Sequence, residues 1–216
     1  MAAVIRQYSV AERVADGAVH ALGILASLVA VPLLLIAALP RVGVATGAGL
    51  AVYGLAMIVL FSVSAAYHMV PGLDWKPLLK RFDQAAIFLK IAGTYTPLVM
   101  VLGSIFAYSV LALVWGAAIF GAFAKLALGP RFERISVALY LPLGWASLLL
   151  LWPIVATLPL AVSVLLVAGG LLYSIGVIFH VMERLRFQNA IWHVFVLSAS
   201  ACHFAAVSHA SLWMAV

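Results

Sequence analysis

Long apolar runs, separated only by short breaks that carry charge, glycine or proline, recur along this sequence of 216 residues. A helix that crosses a hydrocarbon core of about 30 Å needs about 20 apolar residues, because each residue adds about 1.5 Å of rise. Hydrophobic residues make up 67% of the chain and charged residues only 8%, which is incompatible with an ordinary water-soluble core. The sequence therefore predicts an all-α protein whose solvent is the lipid bilayer.

Seven apolar segments can be separated by their flanking charges, glycines and prolines. The first run is too long for a signal-peptide core and lacks a clear small-residue cleavage site, so we expect it to be retained as a helix. We predict a seven-transmembrane helix bundle in a single domain over residues 1–216, with helices at about 20–40, 45–70, 82–102, 105–127, 136–154, 158–181 and 190–212.

Basic residues fall almost entirely at alternate ends of these segments. Of the 12 Lys and Arg residues, Lys90 lies inside a segment, Arg41 lies in the first loop, and the others share the opposite face. Because Lys and Arg near helix ends stay in the cytoplasm, we predict a multi-pass plasma-membrane protein with its N-terminus inside and its C-terminus outside. The net charge of +6 does not indicate a nucleic-acid partner, since no basic stripe with interleaved aromatic residues occurs.

A small set of polar residues lies at the cytoplasmic ends of three predicted helices. Ser64 and His68 are four residues apart on the second helix, Asp83 begins the third, and Asn189 and His193 are four apart at the start of the seventh. Residues four apart share one face of a helix. Polar groups in membrane segments are costly and therefore mark a candidate functional site.

Two imidazoles near a carboxylate suit zinc, which in catalytic sites keeps one coordination position for water. Zinc-bound water loses a proton near neutral pH, and Asp83 could orient that water or accept its proton, which is the chemistry of hydrolysis. In the alternative interpretation, both histidines are interfacial and Asp83 caps its helix or offsets Arg81. No dense motif such as His-Glu-x-x-His occurs, so the residues alone leave both interpretations open.

Several motifs extend over nearly the whole chain: His20-Ala-Leu-Gly23, Ser64-Ala-Ala-Tyr-His68, Arg81-Phe-Asp83, Ile91-Ala-Gly-Thr-Tyr-Thr-Pro97, Ile191-Trp-His-Val-Phe-Val-Leu197 and His203-Phe204. Together they resemble the hemolysin III family. These proteins are bacterial relatives of the progestin and adiponectin Q receptors (PAQR) and, more remotely, of the alkaline ceramidases. The resemblance implies a PAQR-like seven-helix bundle in the bacterial inner membrane, with zinc near the cytoplasmic face.

The resemblance also assigns roles to the polar residues. It implies that His68 and His193 bind the metal, that Asp83 holds the metal-bound water, and that Ser64 belongs to the same signature. The first histidine of the family's His-x-x-x-His pair falls on Asn189, whose amide oxygen is a poor zinc ligand. The third position is therefore open between Asn189, binding the metal or its water, and His180 at the end of the sixth helix.

Other polar residues are expected to have structural roles. Asp16 and His20, four apart, could cap the first helix or cover the site, and we favour the structural role. His203 lies about 15 Å along the helix from His193, so it is expected to be a hydrogen-bonded core residue rather than a ligand of the same metal. Lys90, two turns into the third helix, must pair, extend to the interface or face a cavity.

We therefore predict a zinc-dependent membrane hydrolase that acts on a lipid amide or ester, with membrane lipids as its partners. The alternative is a non-enzymatic sensor or regulator of membrane homeostasis in which a metal stabilises the bundle. A transporter or channel is less favoured because Lys90 and His203 form no continuous polar pathway. The sequence predicts neither the substrate nor the oligomeric state.

Overall fold

The computed structural model describes residues 8–70 and 74–213, which form α-helices and short 3₁₀ turns with no strand among them. Two 3₁₀ turns, Gly129–Phe132 and Ala146–Leu150, connect α4 to α5 and α5 to α6. The eight α-helices are α1 (Val10–Ala38), α2 (Val44–Met69), α3 (Lys76–Leu102), α4 (Ile105–Leu128), α5 (Glu133–Trp145), α6 (Leu151–Thr157), α7 (Leu160–Val181) and α8 (Gln188–Trp213).

Six stretches of the described chain are helical, long and apolar enough to cross a membrane: α1, α2, α3, residues 105–157, α7 and α8. The chain is therefore an all-helical, multi-pass membrane protein. The segment predicted at 136–154 is not one continuous helix, because α5 and α6 are separated by the 3₁₀ turn at Ala146–Leu150. This break follows Pro142, whose ring removes a backbone donor.

Helix α1 begins ten residues earlier than the predicted start at residue 20. Ser9 is its N-cap, and a capping box forms with Glu12: the Glu12 amide donates to Ser9 Oγ at 3.2 Å, and the Ser9 amide donates to Glu12 Oε2 at 2.9 Å. The prediction that Asp16 or His20 caps this helix is wrong, since both lie inside it and are buried. The early start places Glu12, Asp16 and His20 on one helical face.

Glu12 also links the start of α1 to the loop before α8. Its Oε1 accepts a hydrogen bond from the backbone N–H of Phe187 at 3.0 Å. Phe187 has a φ of 60°, which is unusual for a residue with a side chain. The contact therefore holds the first turn of α8 against α1.

Glycines bring α1 close to α2. A Cβ atom on Gly54 would lie 2.3 Å from Val31 Cγ1, and one on Gly23 would lie 2.7 Å from Phe61 Cδ1. Larger residues at either position would force the two helices apart. This close packing places the polar face of α1 directly beside α2.

Helix α3 is the most buried of the long helices and contacts α2, α4, α5, α6 and α8. Helix α5 runs beside it in the same direction. Lys80 and Glu133 pair at 2.7 Å near the start of both helices, and farther along Tyr95 Oη donates to the Gly144 carbonyl at 2.7 Å. Helix α4 therefore runs back along α3, and α5 then runs in the direction of α3 again.

Candidate metal centre

Three histidines from three helices meet at one point in the bundle. His20 comes from α1, His68 from α2 and His193 from α8, and each offers a ring nitrogen that lies within 4.8 Å of the other two. The ring centroids are 4.2 Å apart for His20 and His193, 4.5 Å for His68 and His193, and 5.2 Å for His20 and His68. His20 and His193 are buried, and His68 is partly buried.

The carboxylate of Asp16 lies beside all three rings. Asp16 Oδ1 is 2.6 Å from His193 Nδ1, and Oδ2 is 3.4 Å from His68 Nδ1. His20 Nδ1 lies 2.8 Å from the Asp16 carbonyl oxygen and 3.6 Å from Oδ1. Each ring therefore turns the same nitrogen, Nδ1, toward one residue.

This arrangement selects the ligand atoms. An imidazole that donates its Nδ1 proton to a carboxylate or carbonyl keeps an unprotonated Nε2 as the metal ligand. With Nδ1 of His20, His68 and His193 facing Asp16, Nε2 is the nitrogen that each ring would offer to a metal, which at His20 would replace the contact with Ser64 Oγ. The donor set fits zinc, which binds three imidazoles and leaves one position open in catalytic sites.

Ser64 and Asp83 complete the cluster from α2 and α3. Ser64 Oγ lies 3.3 Å from His20 Nε2, and Ser64 also interacts with the Asp83 carboxyl. The Asp83 carboxyl interacts electrostatically with His68 and His20. Asp83 is not a helix cap, because α3 begins at Lys76 and Asp83 lies two turns inside it.

The structure thus brings together Ser64, His68, Asp83 and His193, four of the five residues that the sequence analysis placed at one depth; Asn189 is the fifth. The third imidazole is His20, for which the sequence analysis considered a position covering the site but favoured a structural role.

Of the two residues considered for the third position, His180 is not a member of the histidine cluster, and Asn189 lines the same cavity as the three histidines. The His180 ring packs against Trp192 at a centroid distance of 4.9 Å, and its carbonyl accepts a hydrogen bond from Gln188 Nε2 at 2.7 Å. His180 therefore helps to join α7 to α8.

A signal for His20 was present in the sequence. Glu12, Asp16 and His20 recur at intervals of four, as expected for one polar helical face. This periodicity is missed if α1 is assumed to begin where the apolar run begins.

A cavity of about 790 Å³ extends from this cluster into the bundle. Its inner part is lined by apolar side chains that include Leu98, Ile154 and Leu166, together with Lys90 and His203. As predicted, His203 is hydrogen-bonded, with Nε2 at 3.3 Å from the Leu166 carbonyl, and it is not part of the metal cluster. The cavity volume lies within the range of roughly 300–1,000 Å³ that is typical of small-molecule sites.

Known proteins are similar to this sequence over most of its length. A family model described as "Haemolysin-III related" matches residues 8–204. The chain is 35% identical over 196 residues to "Hemolysin-3" of Bacillus cereus, covering 90% of each protein, and 33% identical over 198 residues to the "Hemolysin-3 homolog" of Bacillus subtilis, covering 91% of this chain and 93% of the relative.

A more distant match extends to animals. The human "Monocyte to macrophage differentiation factor" is 29% identical over 167 residues, which cover 72% of this chain and 67% of that protein. The extent of the bacterial matches and of the family model shows that the chain belongs to the haemolysin-III related family.

Proposed function

We propose that this protein is a zinc-dependent integral membrane hydrolase that cleaves an amide or ester bond of a lipid. The observation that carries the proposal is the convergence of His20, His68 and His193 with a nearby carboxylate, Asp83, at one end of a large cavity. Three neutral nitrogen ligands, an adjacent acid or base and a substrate-sized space are the parts of a site for metal-assisted hydrolysis.

Bound zinc would supply Lewis acidity and lower the pKa of a coordinated water into the neutral range. In this proposal His20, His68 and His193 hold the metal. Asp83 would orient the attacking water and accept its proton, and Ser64, which interacts with the Asp83 carboxyl, would help to position it.

Asp16 is the orienting residue of this scheme. Its carboxylate contacts the Nδ1 atoms of His193 and His68, so it fixes the ring orientations and raises the basicity of the nitrogens facing the metal. With Asp83 it also brings two negative charges next to a divalent cation. Asn189 then need not act as a ligand, and the chain can form a three-histidine site without the histidine usual at that position.

The cavity suits a lipid substrate. Inward from the cluster it is lined mainly by aliphatic and aromatic side chains, and next to the cluster it also borders Tyr8, Glu12 and Lys76. An amphiphile would place its apolar chain in the inner part and its amide or ester beside Asp83. Exclusion of water from the inner part would strengthen the electrostatic contribution of Asp83 and of the metal.

The proposal includes seven membrane crossings. A straight helix over residues 105–157 would be about 80 Å long, more than twice the thickness of the hydrocarbon core. The return of α5 along α3 supports two crossings in this stretch, α4 and then α5 with α6. The basic loops support a cytoplasmic location for the N-terminus and the metal site, in the bacterial inner membrane.

A second candidate function is a sensor or regulator of membrane state without catalysis. The observation that favours it is that the three histidines come from three different helices, α1, α2 and α8. A metal bound there would cross-link the helices, so that ligand entry into the cavity could change their packing through the metal.

Lipid turnover separates the two functions. The purified protein is incubated with a panel of lipid amides and esters, and released fatty acid is measured by mass spectrometry. The hydrolase proposal expects release by the parent and a loss of at least about 100-fold with Asp83→Asn, in protein that retains its metal. Stoichiometric metal with no release from any lipid of the panel would favour the regulatory function.

A further inference from the structure

Lys90 lies in the middle of the cavity and plays no part in the proposed hydrolysis. It is 3% exposed and lines the cavity from α3. Seven residues separate it from Asp83, which corresponds to about 10 Å along the helix. It therefore forms a second polar position, well removed from the histidine cluster.

The amine of Lys90 is poorly satisfied by the protein. An ammonium group has three donors. The hydrogen bond found for it runs to Thr94 Oγ1 at 3.0 Å, one turn along the same helix, and Thr94 in turn donates to the Lys90 carbonyl at 2.8 Å. Within residues 8–70 and 74–213 no carboxylate lies within 4.0 Å of the amine.

The groups next to the Lys90 amine supply no negative charge. The Lys90 amine lies 5.2 Å from the centroid of the Tyr53 ring, and the buried Tyr53 hydroxyl has no hydrogen-bond partner among the described residues. His203 faces the same space and interacts electrostatically with Lys90. A cation within a membrane segment is costly unless it is paired, and no negative charge lies within 4.0 Å of this one among the described residues.

We propose that Lys90 binds the carboxylate of an amphiphile that enters the cavity. A carboxylate supplies one negative charge against one cation and accepts several hydrogen bonds, whereas a phosphate dianion would bring more charge than this layer offsets. The apolar part of the cavity beyond Lys90, bordered by Leu98, Ile154 and Leu166, accommodates the alkyl chain. Leu98 lies about 12 Å beyond Lys90 along α3, which suits a chain of medium length.

The site does not depend on the proposed hydrolysis. Such a carboxylate could be released from a lipid at the histidine cluster or could enter from the membrane, and in both cases the chemistry at Lys90 is the same. A variant that lacks the metal ligands keeps the two proposals separate, because it can bind an added carboxylate without hydrolysing a lipid.

Binding of radiolabelled decanoate to the full-length protein in detergent tests the inference, with unlabelled decanoate and decanol as competitors. We expect saturable binding of about one decanoate per chain, competition by decanoate but little by decanol, and affinity at least about tenfold weaker in Lys90→Met. Lys90→Gln is the second neutral variant should the Met variant fail to fold. Arg41→Met, which removes an exposed cation outside the cavity, should bind decanoate as the parent does.

Several results would overturn the inference: no saturable binding by the parent, equal competition by decanol, or unchanged affinity in the neutral variants. The double variant His68→Ala and His193→Ala should still bind decanoate within about twofold of the parent, even if it has lost metal and activity. If that double variant loses decanoate binding, the probe binds at the histidine cluster and the assignment to Lys90 is wrong.

Discussion

Asp16→Asn is the most informative single change at the metal centre, because it removes the charge while keeping the size of the side chain. In the parent, Asp16 Oδ1 accepts from His193 Nδ1 at 2.6 Å and Oδ2 lies 3.4 Å from His68 Nδ1. An asparagine can offer one carbonyl oxygen to His193, but its NH₂ group then faces the other ring and is itself a donor. The variant therefore loses one orienting contact and the negative charge together.

The expected effect is a loss of metal affinity of about 10- to 100-fold, the usual consequence of removing a residue that orients metal-binding histidines. This corresponds to about 1.4–2.8 kcal/mol of metal-binding free energy. The fold should persist, because the Asp16 carbonyl still accepts from His20 at 2.8 Å and α1 keeps its capping box at Ser9. The change should therefore affect metal binding much more than secondary structure.

Competition with a chromogenic chelator measures this affinity in detergent-purified protein, and circular dichroism checks the helical content. Asp74→Asn provides a matched control, since Asp74 is exposed and does not line the cavity. Metal affinity equal to that of the parent in Asp16→Asn would refute the orienting role. Equal losses in Asp16→Asn and Asp74→Asn would show that overall charge, rather than contact with the rings, sets the affinity.

Three further predictions concern stability, and thermal unfolding in detergent measures each of them. A chelator should lower the unfolding temperature of the parent but not of His20→Ala, because a metal held by three helices stabilises the folded state. The stabilisation is about 2.7 kcal/mol when the free metal concentration is 100 times the Kd of the site. An equal shift in both proteins would contradict this prediction. Gly54→Leu should destabilise the protein by about 1–3 kcal/mol or more through overpacking against α1. Gly116→Leu should change stability little, because a Cβ atom there would meet no atom of the described residues within 4 Å. Equal effects of the two substitutions would argue against the close α1–α2 contact. Tyr95→Phe should cost about 0.5–1.5 kcal/mol, because it removes the hydroxyl that donates to the Leu143 or Gly144 carbonyl at the break between α5 and α6, while Ser147 Oγ still donates to Gly144. Unchanged stability would show that the Tyr95 hydroxyl does not stabilise this break.

Membrane character and most of the cluster could be predicted from the sequence because they depend on local patterns. Apolar runs of about 20 residues have few other solutions, and Ser64 and His68 lie on one face at any helical register. Asp83 and His193 could be placed at the same depth because helix direction alternates with each crossing.

The third histidine could not be placed by the same reasoning. Whether His20 reaches the site depends on where α1 begins, and that is decided by the capping box at Ser9 and Glu12 rather than by hydropathy. The approach of α1 to α2 at Gly54 also depends on packing between segments, which no single segment reveals. The break between α5 and α6 has a similar origin, since Pro142 is compatible with a kink or with a 3₁₀ turn until tertiary contacts decide between them.

Zinc content per chain, measured by elemental analysis of detergent-purified protein, tests the central claim most directly. The three-histidine site predicts about one zinc in the parent and in His180→Ala, and loss of zinc in His20→Ala, His68→Ala and His193→Ala. Absence of stoichiometric metal from the parent, or retention of zinc in His20→Ala with loss in His180→Ala, would contradict the assignment of His20 as the third ligand.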